Sequence, residues 1–307
     1  MDRALVTGGA GFIGSHLTRQ LVADGLHVVV LDNLSSGHRH NLDGVDVEFV
    51  EGDIRDEALV RRASTGCRYV LHHAAMVSVP ESVADPEGCH AINGGGTLNV
   101  LRAAATAGAE RVTFAASAAA YGREPTLPKR ESYAPEPISP YAATKLLGEH
   151  YCRVFTECYS LPCVPFRYFN IYGSQQDPSG AYAAVISKFV ERMLDGVAPT
   201  IFGDGQQTRD FCHVSDVVRA NMMALHAPAD VAGRPMNIGT GETTTLLDLM
   251  ATLNVLLGTS FDAEFGPERA GDIRHSCSDP SRVKDALGFV AETSLHDGLA
   301  ELLGSLK

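Results

Sequence analysis

The chain has 307 residues, of which 45% are hydrophobic and 20% are charged, a composition that is ordinary for a soluble globular protein. Its formal net charge of −12 argues against nucleic acid or an anionic membrane surface as the main partner. No apolar run approaches membrane-spanning length and a strand pattern begins almost at Met1, so the sequence predicts a cytoplasmic protein without a signal peptide.

The cysteines and histidines predict neither a disulfide framework nor a metal site. The seven cysteines are scattered, odd in number and without a Cys-x-x-Cys pair, which is typical of reduced thiols. His72 and His73 stand together, as do His38 and His40 around one arginine, but neither pair has a further ligand at helical or turn spacing. We therefore expect no metal.

A short apolar strand, a glycine-rich turn and an amphipathic helix follow one another near the N-terminus. Gly8 suits a tight turn, Gly11 lets a ligand approach the backbone, and Gly14 lets the helix pack against the strand. The N–H groups at the start of the helix, around Phe12 and Ile13, then face an anion. Because three glycines alone are common in loops, the prediction of a dinucleotide site depends on the strand and the helix that flank them.

Residues at the ends of the next two strands are predicted to contact the adenosine part of the dinucleotide. The apolar run His27 to Leu31 ends at Asp32, about twenty residues beyond the first glycines, where a carboxylate accepts from a ribose 2′-hydroxyl and repels a 2′-phosphate. This spacing favours NAD over NADP. Asn33 opens a polar loop beside the adenosine, and a third strand leads to Asp53 and Ile54, for which we predict contacts with the adenine edge and face. A plain turn before a helix is the competing interpretation for Asp53.

The fourth strand, Tyr69 to Leu71, is followed by Ala74 and Ala75, small residues that again let the backbone approach the cofactor. A helix is predicted from Pro86 to Ala107, with an aspartate before it and a glycine after it. The run Gly94 to Gly96 inside this helix is unfavourable, since each glycine costs about 1 kcal/mol relative to alanine. Close packing against another group and a local break of the helix explain the run equally well.

A serine, a tyrosine and a lysine carry the predicted chemistry. The fifth strand, Arg111 to Ala115, delivers Ser117 to the edge of the sheet where such folds bind ligands. A serine–proline pair directly before Tyr141 predicts a capped helix start, and Lys145, four residues later, shares the face of Tyr141.

A phenol has a pKa of about 10, which is too high for a base at neutral pH. We expect the ammonium of Lys145 and the cation of an oxidised nicotinamide to lower the pKa of Tyr141, so that it takes a proton from a substrate hydroxyl. Ser117 is expected to bridge the same oxygen, and Lys145 also to hold the ribose. The competing interpretation, a surface Tyr/Lys pair, is weaker because the glycine turn, the strand-end serine and the capped helix occur together.

Beyond this helix the pattern is less regular. Phe166 to Asn170 is predicted as a sixth strand, for which Pro165 would sit better at the start than in the middle, and Met236 to Ile238 as a strand that returns to the main sheet. Helices are predicted from Thr245 to just before Gly258 and, with weaker patterns, near 280–287 and 295–303.

These elements predict an α/β fold: a doubly wound parallel sheet of the Rossmann type with a smaller α/β substrate lobe. The NAD-binding domain covers residues 1–171 with a return segment at about 207–240. The lobe covers residues 172–206 and 241–307.

Over essentially its whole length the chain resembles the extended short-chain dehydrogenase/reductase family, and within it the NAD-dependent nucleotide-sugar epimerase/dehydratase branch. The motifs that carry the resemblance are Thr7 to Gly14, Asp32-Asn33, Gly52 to Ile54, Asn93, Ala116-Ser117 with Tyr121-Gly122, Tyr141 with Lys145, Arg167 to Asn170, and Arg209-Asp210. The resemblance implies a UDP-sugar bound between the lobes, a tightly held NAD that is reduced and reoxidised in one turnover, and a homodimer formed through the helix of Tyr141 and the helix before it.

Further site residues follow from the resemblance position by position. For the cofactor it implies Asn93, and Tyr168 beside the nicotinamide. For the uridine diphosphate it implies Asn170, Ala184, Val185, Arg209, Arg269 and Asp272. Two arginines brought together from distant parts of the chain would suit a diphosphate in an acidic protein.

The residues after Ser117 bear on the reaction. Dehydratases of this branch carry an acid pair there, whereas this chain has Ala118 and Ala119, which lack the acid and base that elimination of water needs. A 4-epimerase needs neither, so 4-epimerisation is favoured over dehydration. A non-catalytic NAD-binding module would be expected to lose the Tyr/Lys pair, which is present.

Three segments resemble UDP-N-acetylglucosamine 4-epimerases: Ser78 to Pro80, Gln176 to Tyr182, and Arg274 to Ser276. In the resemblance Ser276 occupies a gate where enzymes restricted to UDP-glucose carry a tyrosine, and a small residue there leaves room for a 2-acetamido group. Against this, that subgroup often has hydroxyl residues where Ala118 and Ala119 stand. UDP-glucose/UDP-galactose is the alternative substrate pair, and a uronic acid a distant third.

Overall fold

Runs of aliphatic residues form strands that are buried on both faces of a parallel sheet. In His27–Asp32 every residue after the first is buried, as expected for a strand with helices on both sides. The computed structural model describes residues 2–177, 185–268 and 273–306. Its strands are β1 (Arg3–Thr7), β2 (His27–Asp32), β3 (Glu48–Glu51), β4 (Tyr69–His72), β5 (Arg111–Ser117), β6 (Cys163–Tyr168), β7 (Asn170–Tyr172), β8 (Thr200–Phe202), β9 (Thr208–Arg209), β10 (Phe211–His213), β11 (Met236–Ile238), β12 (Thr244–Thr245) and β13 (Glu264–Gly266).

The helices lie between these strands in the alternation that a parallel sheet requires. They are α1 (Phe12–Ala23), α2 (Glu57–Ala63), α3 (Val79–Ala84), α4 (Pro86–Cys89), α5 (Thr97–Ala107), α6 (Pro140–Tyr159), α7 (Val185–Leu194), α8 (Val214–His226), α9 (Leu246–Leu257), α10 (Ser281–Leu287) and α11 (Leu295–Ser305). Side-chain caps begin several of them: Asp56 accepts from the Leu59 N–H, and at the helix starts predicted above Ser139 accepts from the Ala142 N–H and Thr245 from the Asp248 N–H.

The central sheet has seven parallel strands in the order β11-β6-β5-β4-β1-β2-β3. From β1 the chain first builds outward through β2 and β3, and then crosses back to build outward through β4, β5 and β6. The point between β1 and β4 where this direction reverses is where doubly wound sheets bind ligands, outside the carboxyl ends of the strands. The predicted doubly wound parallel sheet is confirmed.

Helices cover both faces of the sheet. On one face α2, α5 and α6 enclose a core that includes Leu5, Val70 and Val112. On the other face α1 and α8 pack against each other and over residues such as Val6 and Val30. The sheet is therefore rigidly held, and the loops at its carboxyl edge are positioned by buried strands.

The predicted continuous helix from Pro86 to Ala107 is instead three segments: α4, a π-helical stretch over His90–Gly96, and α5. A Cβ added at Gly96 would lie 2.5 Å from the Cδ1 atom of Ile54. Both explanations of the glycine run therefore hold, because the helix changes its hydrogen-bond register there and also packs closely against Ile54.

The predicted strand from Phe166 to Asn170 is wrong in its bounds. β6 runs over Cys163–Tyr168 with Pro165 in its middle, and Asn170 begins the separate strand β7. The Cys163 carbonyl accepts from the Gly233 N–H on the β11 side, so Pro165, two residues on, directs its nitrogen to that side as well. β11 begins only opposite Phe166, and the N–H that proline lacks is not needed by the ladder to β5.

A further core cluster lies in the region predicted as the second lobe. It joins α7, α9 and α11 through residues that include Phe189, Leu249 and Leu299. The returning strand β11 and the segment that carries α8 belong to the main sheet region. We retain the division into two lobes near residue 172 as a proposal. Within the described ranges, no helix combines the length and apolarity needed to cross a bilayer.

A buried ion pair ties α6 to β6. Glu149 accepts two hydrogen bonds from Arg167, at 2.8 Å from Nε and 2.7 Å from Nη2, and both side chains are at most 4% exposed. The guanidinium also lies 4.6 Å from the centre of the Tyr121 ring. Removing one partner leaves the other charge buried and unpaired.

We expect Glu149→Ala to lower the free energy of unfolding by about 3–5 kcal/mol, measured by denaturant titration with NAD in excess. The matched control is Arg102→Ala, which breaks the exposed pair with Glu57 at 3.3 Å and should cost less than about 1 kcal/mol. Equal losses for the two variants would contradict the stabilising role of the buried pair.

Candidate active site

The glycine turn between β1 and α1 leaves no room for side chains at two of its positions. Gly8 has a φ of +70°, and a Cβ there would lie 2.6 Å from the Ala74 nitrogen. A Cβ at Gly14 would lie 2.0 Å from the Gly8 carbonyl oxygen. The turn, the start of α1 and the segment after β4 that holds Ala74 and Ala75 therefore meet backbone to backbone.

The N-terminus of α1 is open to an anion. Gly11 is its N-cap, no side chain caps the helix, and its first turn, which begins with Phe12 and Ile13, contains no acidic residue. The helix is 12 residues long, so its free N–H groups and the positive end of its dipole suit a diphosphate. This glycine-lined cradle fits the pyrophosphate of a dinucleotide.

The carboxylate of Asp32 is fixed at the end of β2. It accepts from the Ala10 N–H at 2.9 Å and from the Leu34 N–H at 2.8 Å, and the residue is 6% exposed. Each carboxylate oxygen keeps a further lone pair with which to accept from a ribose hydroxyl. A negative charge held in this way also opposes a 2′-phosphate, which suits NAD.

The structure brings Asn33, Asp53 and Ile54 to the same end of the sheet but gives their side chains protein partners. Asn33 donates to Asp53 at 3.0 Å, and Arg55 donates to both oxygens of Asp53. The bonds from Arg55 lower the pKa of Asp53 to about 2. The Ile54 side chain packs against Gly96 in the core. The predicted contacts of Asp53 and Ile54 with adenine stay predictions.

Ser117, Tyr141 and Lys145 come together at the carboxyl end of β5. Ser117 is the last residue of this strand, and its hydroxyl oxygen accepts from the Ala119 N–H at 3.1 Å. Tyr141, in the first turn of α6, donates its backbone N–H to the Ser82 hydroxyl at 3.1 Å. Lys145 donates from Nζ to the Ala115 carbonyl at 2.8 Å, and Nζ lies 5.8 Å from the centre of the Tyr141 ring.

The electrostatics of this group differ from the sequence-based expectation. Burial raises the pKa of Tyr141, and the hydrogen bond with Ser117 acts in the opposite direction. Burial also lowers the pKa of Lys145 to about 8. For the protein groups alone the expectation that the pKa of Tyr141 is lowered is therefore wrong, because burial is the largest influence on it and raises it. The positive charge of an oxidised nicotinamide remains as the second influence that the sequence suggests.

Asn93 anchors the segment after β4 from inside the π-helical stretch. It accepts from the Met76 N–H at 2.8 Å and donates to the Met76 carbonyl at 3.0 Å and to the Thr144 hydroxyl at 3.1 Å. Ser78 begins α3 as its N-cap and accepts from the Glu81 N–H at 3.2 Å. The predicted contacts of Asn93 with NAD and of Ser78 with substrate stay predictions.

On the side predicted for the nucleotide of the substrate, β9 brings three of the predicted residues together. The Asn170 N–H donates to the Asp210 carbonyl at 3.1 Å, directly beside Arg209. Arg209 donates from Nη1 to the carbonyls of Thr208, at 2.9 Å, and of Arg274. The Ser276 N–H donates to the same Thr208 carbonyl at 3.1 Å.

Of the remaining predicted substrate residues, the structure describes one. Val185 is the first residue of α7. Ala184, Arg269 and Asp272 lie outside the described residues.

Sequence reasoning missed the residue that fixes this region. The fully buried carboxylate of Asp210 accepts from the N–H and hydroxyl of Thr240, both at 2.8 Å, and from the N–H and hydroxyl of Ser278, at 2.9 and 2.5 Å. It also accepts from the Gly241 N–H. Asp210 thereby holds the loop after β11 to the segment that carries Ser276. Its position after Arg209 in a resemblance motif was the only available signal.

Tyr168 ends β6 at the same edge of the sheet and is 8% exposed. Its hydroxyl is hydrogen-bonded to His73 at 3.0 Å and to Asn221 at 2.8 Å. Sequence reasoning weighed His73 only as a metal ligand. Among the described residues there is no cluster of three or more histidines, cysteines or acidic residues that could hold a metal ion.

A parallel doubly wound sheet, a glycine cradle at its switch point and a Ser–Tyr–Lys group at its carboxyl edge define a dinucleotide-dependent enzyme of the short-chain dehydrogenase/reductase class. The model of the NAD dependent epimerase/dehydratase family matches residues 4–239, and the chain belongs to this family.

Relatives and solved structures are similar to this chain over nearly its full length and theirs. A UDP-glucose 4-epimerase of Mycolicibacterium smegmatis is 40% identical over 305 residues, which cover 97% of this chain and 96% of the relative. The structure of UDP-N-acetylglucosamine 4-epimerase from Methanobrevibacter ruminantium, in complex with UDP-N-acetylmuramic acid, has a TM-score of 0.95 at 36% identity, covering 99% of this chain and 98% of the other. The structure of UDP-glucose 4-epimerase from Thermotoga maritima with UDP-glucose has a TM-score of 0.94 at 39% identity and the same coverage.

These findings confirm the predicted family, the fold class, NAD as the cofactor and an NAD-dependent isomerase. Homodimerisation, the cytoplasmic location and the roles of individual site residues stay predictions.

The cradle predicts that Gly14→Ala loses NAD. Because the added Cβ would meet the Gly8 carbonyl at 2.0 Å, the turn must shift, and we expect NAD affinity to fall about 10–100-fold. The NAD released from purified, denatured protein measures the effect. Gly304→Ala is the control, since a Cβ there meets nothing within 4 Å. Full retention of NAD by the Gly14 variant would refute the assignment.

Proposed function

We propose that this enzyme catalyses the 4-epimerisation of a UDP-sugar and that it accepts UDP-N-acetylglucosamine and UDP-N-acetylgalactosamine. The assembly of Ser117, Tyr141 and Lys145 beside the dinucleotide cradle is the observation that carries the proposal. A single group of this kind can remove and restore a proton on one hydroxyl oxygen, which is the proton chemistry that inversion at C4 requires.

The roles of the residues follow from their positions. Bound NAD supplies a hydride acceptor that gives the hydride back within the same turnover. Tyr141 takes the proton from the 4-hydroxyl of the sugar and returns it after the keto-sugar has rotated within the site. Ser117 hydrogen-bonds to the same oxygen, so that the developing charge is shared between two hydroxyl groups.

Lys145 acts through charge and position. Its Nζ is tied to the Ala115 carbonyl, close to Ser117, and with a pKa lowered to about 8 it is still mostly protonated at neutral pH. A positive charge at this distance from the Tyr141 ring favours the phenolate over the phenol whenever the site excludes water.

The neighbours of Ser117 argue against loss of water from the sugar. Ala118 and Ala119 form a short 3₁₀ turn directly after the serine and carry no carboxyl group. A dehydratase needs an acid and a base at the neighbouring carbon, and these two side chains supply neither. This favours epimerisation.

The choice of sugar depends on Ser276. Its backbone is fixed against Thr208, and its side chain is small, which leaves space for a 2-acetamido group at the gate that the resemblance implies. The similarity to the UDP-N-acetylglucosamine 4-epimerase of M. ruminantium supports this proposal. The second candidate is UDP-glucose/UDP-galactose, favoured by the names of the M. smegmatis relative and the T. maritima structure.

Tyr141→Phe should abolish epimerisation while NAD stays bound. Loss of a positioned acid–base group costs about 10²–10⁴-fold in kcat, whereas the phenyl ring keeps the packing around the cofactor. Product resolution by chromatography and the NAD content per chain measure the two effects. Tyr159→Phe, at a residue that is 60% exposed, is the control and should behave as wild type. Retained activity in the Tyr141 variant would refute the assignment.

Ser276→Tyr should discriminate between the two sugars. We expect kcat/KM for UDP-N-acetylglucosamine to fall at least about tenfold more than kcat/KM for UDP-glucose, because the larger side chain fills the space for the acetamido group. Ser305→Tyr at the exposed end of α11 is the matched control. Equal losses on both sugars would count against the gate.

A further inference from the structure

Two buried side chains, Tyr168 and Asn221, and the partly buried His73 meet at the carboxyl edge of the sheet. The Tyr168 hydroxyl lies 3.0 Å from Nε2 of His73 and 2.8 Å from Nδ2 of Asn221. The imidazole and the phenol rings are nearly parallel, at 23°, with centroids 5.9 Å apart. β4, β6 and α8 are thus joined at one oxygen atom.

The strand register explains how His73 and Tyr168 can meet. β4 and β6 flank β5 on opposite sides, and strands two places apart lie about 9.6 Å from each other. The pairing of His72 with Phe114 places His73 level with Ala115 on β5, whereas Tyr168 is paired with Ser117, two residues further along the same face of that strand. Because Ala115 is small, two long side chains can reach each other across the strand, and Ala115 packs in the same cluster as Tyr168.

The Asn221 amide sets the direction of the first hydrogen bond in this group. Asn221 has two amide protons, one donated to the Val217 carbonyl at 2.8 Å and one to the Tyr168 oxygen. Because that oxygen already accepts from Asn221, we assign the Tyr168 O–H as the donor to Nε2 of His73, an arrangement that places the proton of the neutral imidazole on Nδ1. Burial, and next Lys145, lower the pKa of His73 to about 3, while burial raises the pKa of Tyr168. Neither ring changes its charge near neutral pH.

His73 is placed to act on the cofactor side, unlike the histidine before it. His72 is fully enclosed, with its ring nitrogens 2.7 Å from the Thr7 hydroxyl and 2.9 Å from the Thr97 hydroxyl. His73 keeps part of its surface accessible, and its carbonyl carbon would lie 2.9 Å from a Cβ at Gly8. It therefore adjoins the cradle for the dinucleotide.

Resting on the proposed function, we propose that His73 is a positioning residue: by accepting the Tyr168 hydroxyl proton it fixes the phenol ring as the wall against which the nicotinamide ring lies. A ring held in one orientation at the wall keeps the distance and angle for hydride transfer constant. Without the acceptor, the Tyr168 hydroxyl proton is left unpaired in a buried place, Asn221 alone holds the oxygen, and the orientation of the ring is fixed less firmly.

His73→Phe tests this role because phenylalanine keeps an aromatic ring beside Tyr168 but accepts no hydrogen bond. We expect kcat for epimerisation to fall about tenfold with KM for the UDP-sugar within about twofold, since the change acts on the transition state and not on substrate binding. Tyr168→Phe should give a similar loss, and the double variant should lose no more than either single variant. His73→Gln, which restores an acceptor, should recover at least about half of the rate. His226→Phe, at an exposed histidine at the end of α8, is the control.

A second measurement needs no sugar and so separates this inference from the proposed function. The NAD held by the purified holoenzyme is reduced in place with a borohydride reagent, and the emission spectrum of the bound nicotinamide is recorded. His73→Phe and Tyr168→Phe should shift this emission in the same way, and His226→Phe should leave it unchanged.

The outcomes distinguish the two ideas. If wild-type enzyme turned over no UDP-sugar but the emission shifted as expected, the proposed function would fail and the positioning role would stand. Unchanged kcat and emission in His73→Phe, or additive losses in the double variant, would overturn the positioning role. If His73→Phe does not fold, His73→Gln and Tyr168→Phe decide it, since wild-type rates and emission for Tyr168→Phe would equally overturn it.

Discussion

The capped start of α6 is the constraint on which the candidate site depends. Ser139 and the proline after it set the first turn of the helix, and the Ser82 hydroxyl on α3 accepts the backbone N–H of Tyr141. The residue that carries the candidate phenol is therefore held from two sides before any ligand binds. Its distance from Ser117, at the end of a strand that is buried up to its last residue, is determined by the packing of α6 on β5 rather than by a mobile loop.

Electrostatics at this point reflect a compromise between burial and reactivity. Desolvation raises the pKa of Tyr141 and lowers that of Lys145 to about 8, so the two groups are driven toward their neutral forms. An overall charge of −12 does not help an anionic ligand to approach. Positive charge is instead placed locally, at the open N-terminus of α1 and at Arg209.

Local patterns predicted the parts of the structure that are local in the chain. The glycine turn, the capped starts of α6 and α9, and the succession of the main strands along the chain depend on neighbouring residues and hydrophobic periodicity, and these predictions were right. The bounds of β6 were wrong because Pro165 is tolerated only through the late start of β11, a strand about seventy residues away. The roles of Asp210 and His73 depend on partners from distant elements, which no spacing along the chain reveals.

The π-helical stretch before α5 links the position of the segment after β4 to the rotation of the helix residues around their axis. In an α-helix each residue turns about 100° around the axis and rises about 1.5 Å along it. A π-type insertion therefore rotates the residues that precede it relative to α5. Asn93, within this stretch, reaches both Met76 and Thr144 only at the phase that the wider turn provides. Shortening His90–Gly96 by one residue would leave α5 in the core but rotate the Asn93 amide away from the segment after β4. The length of the wide turn and the position of that segment can therefore change only together.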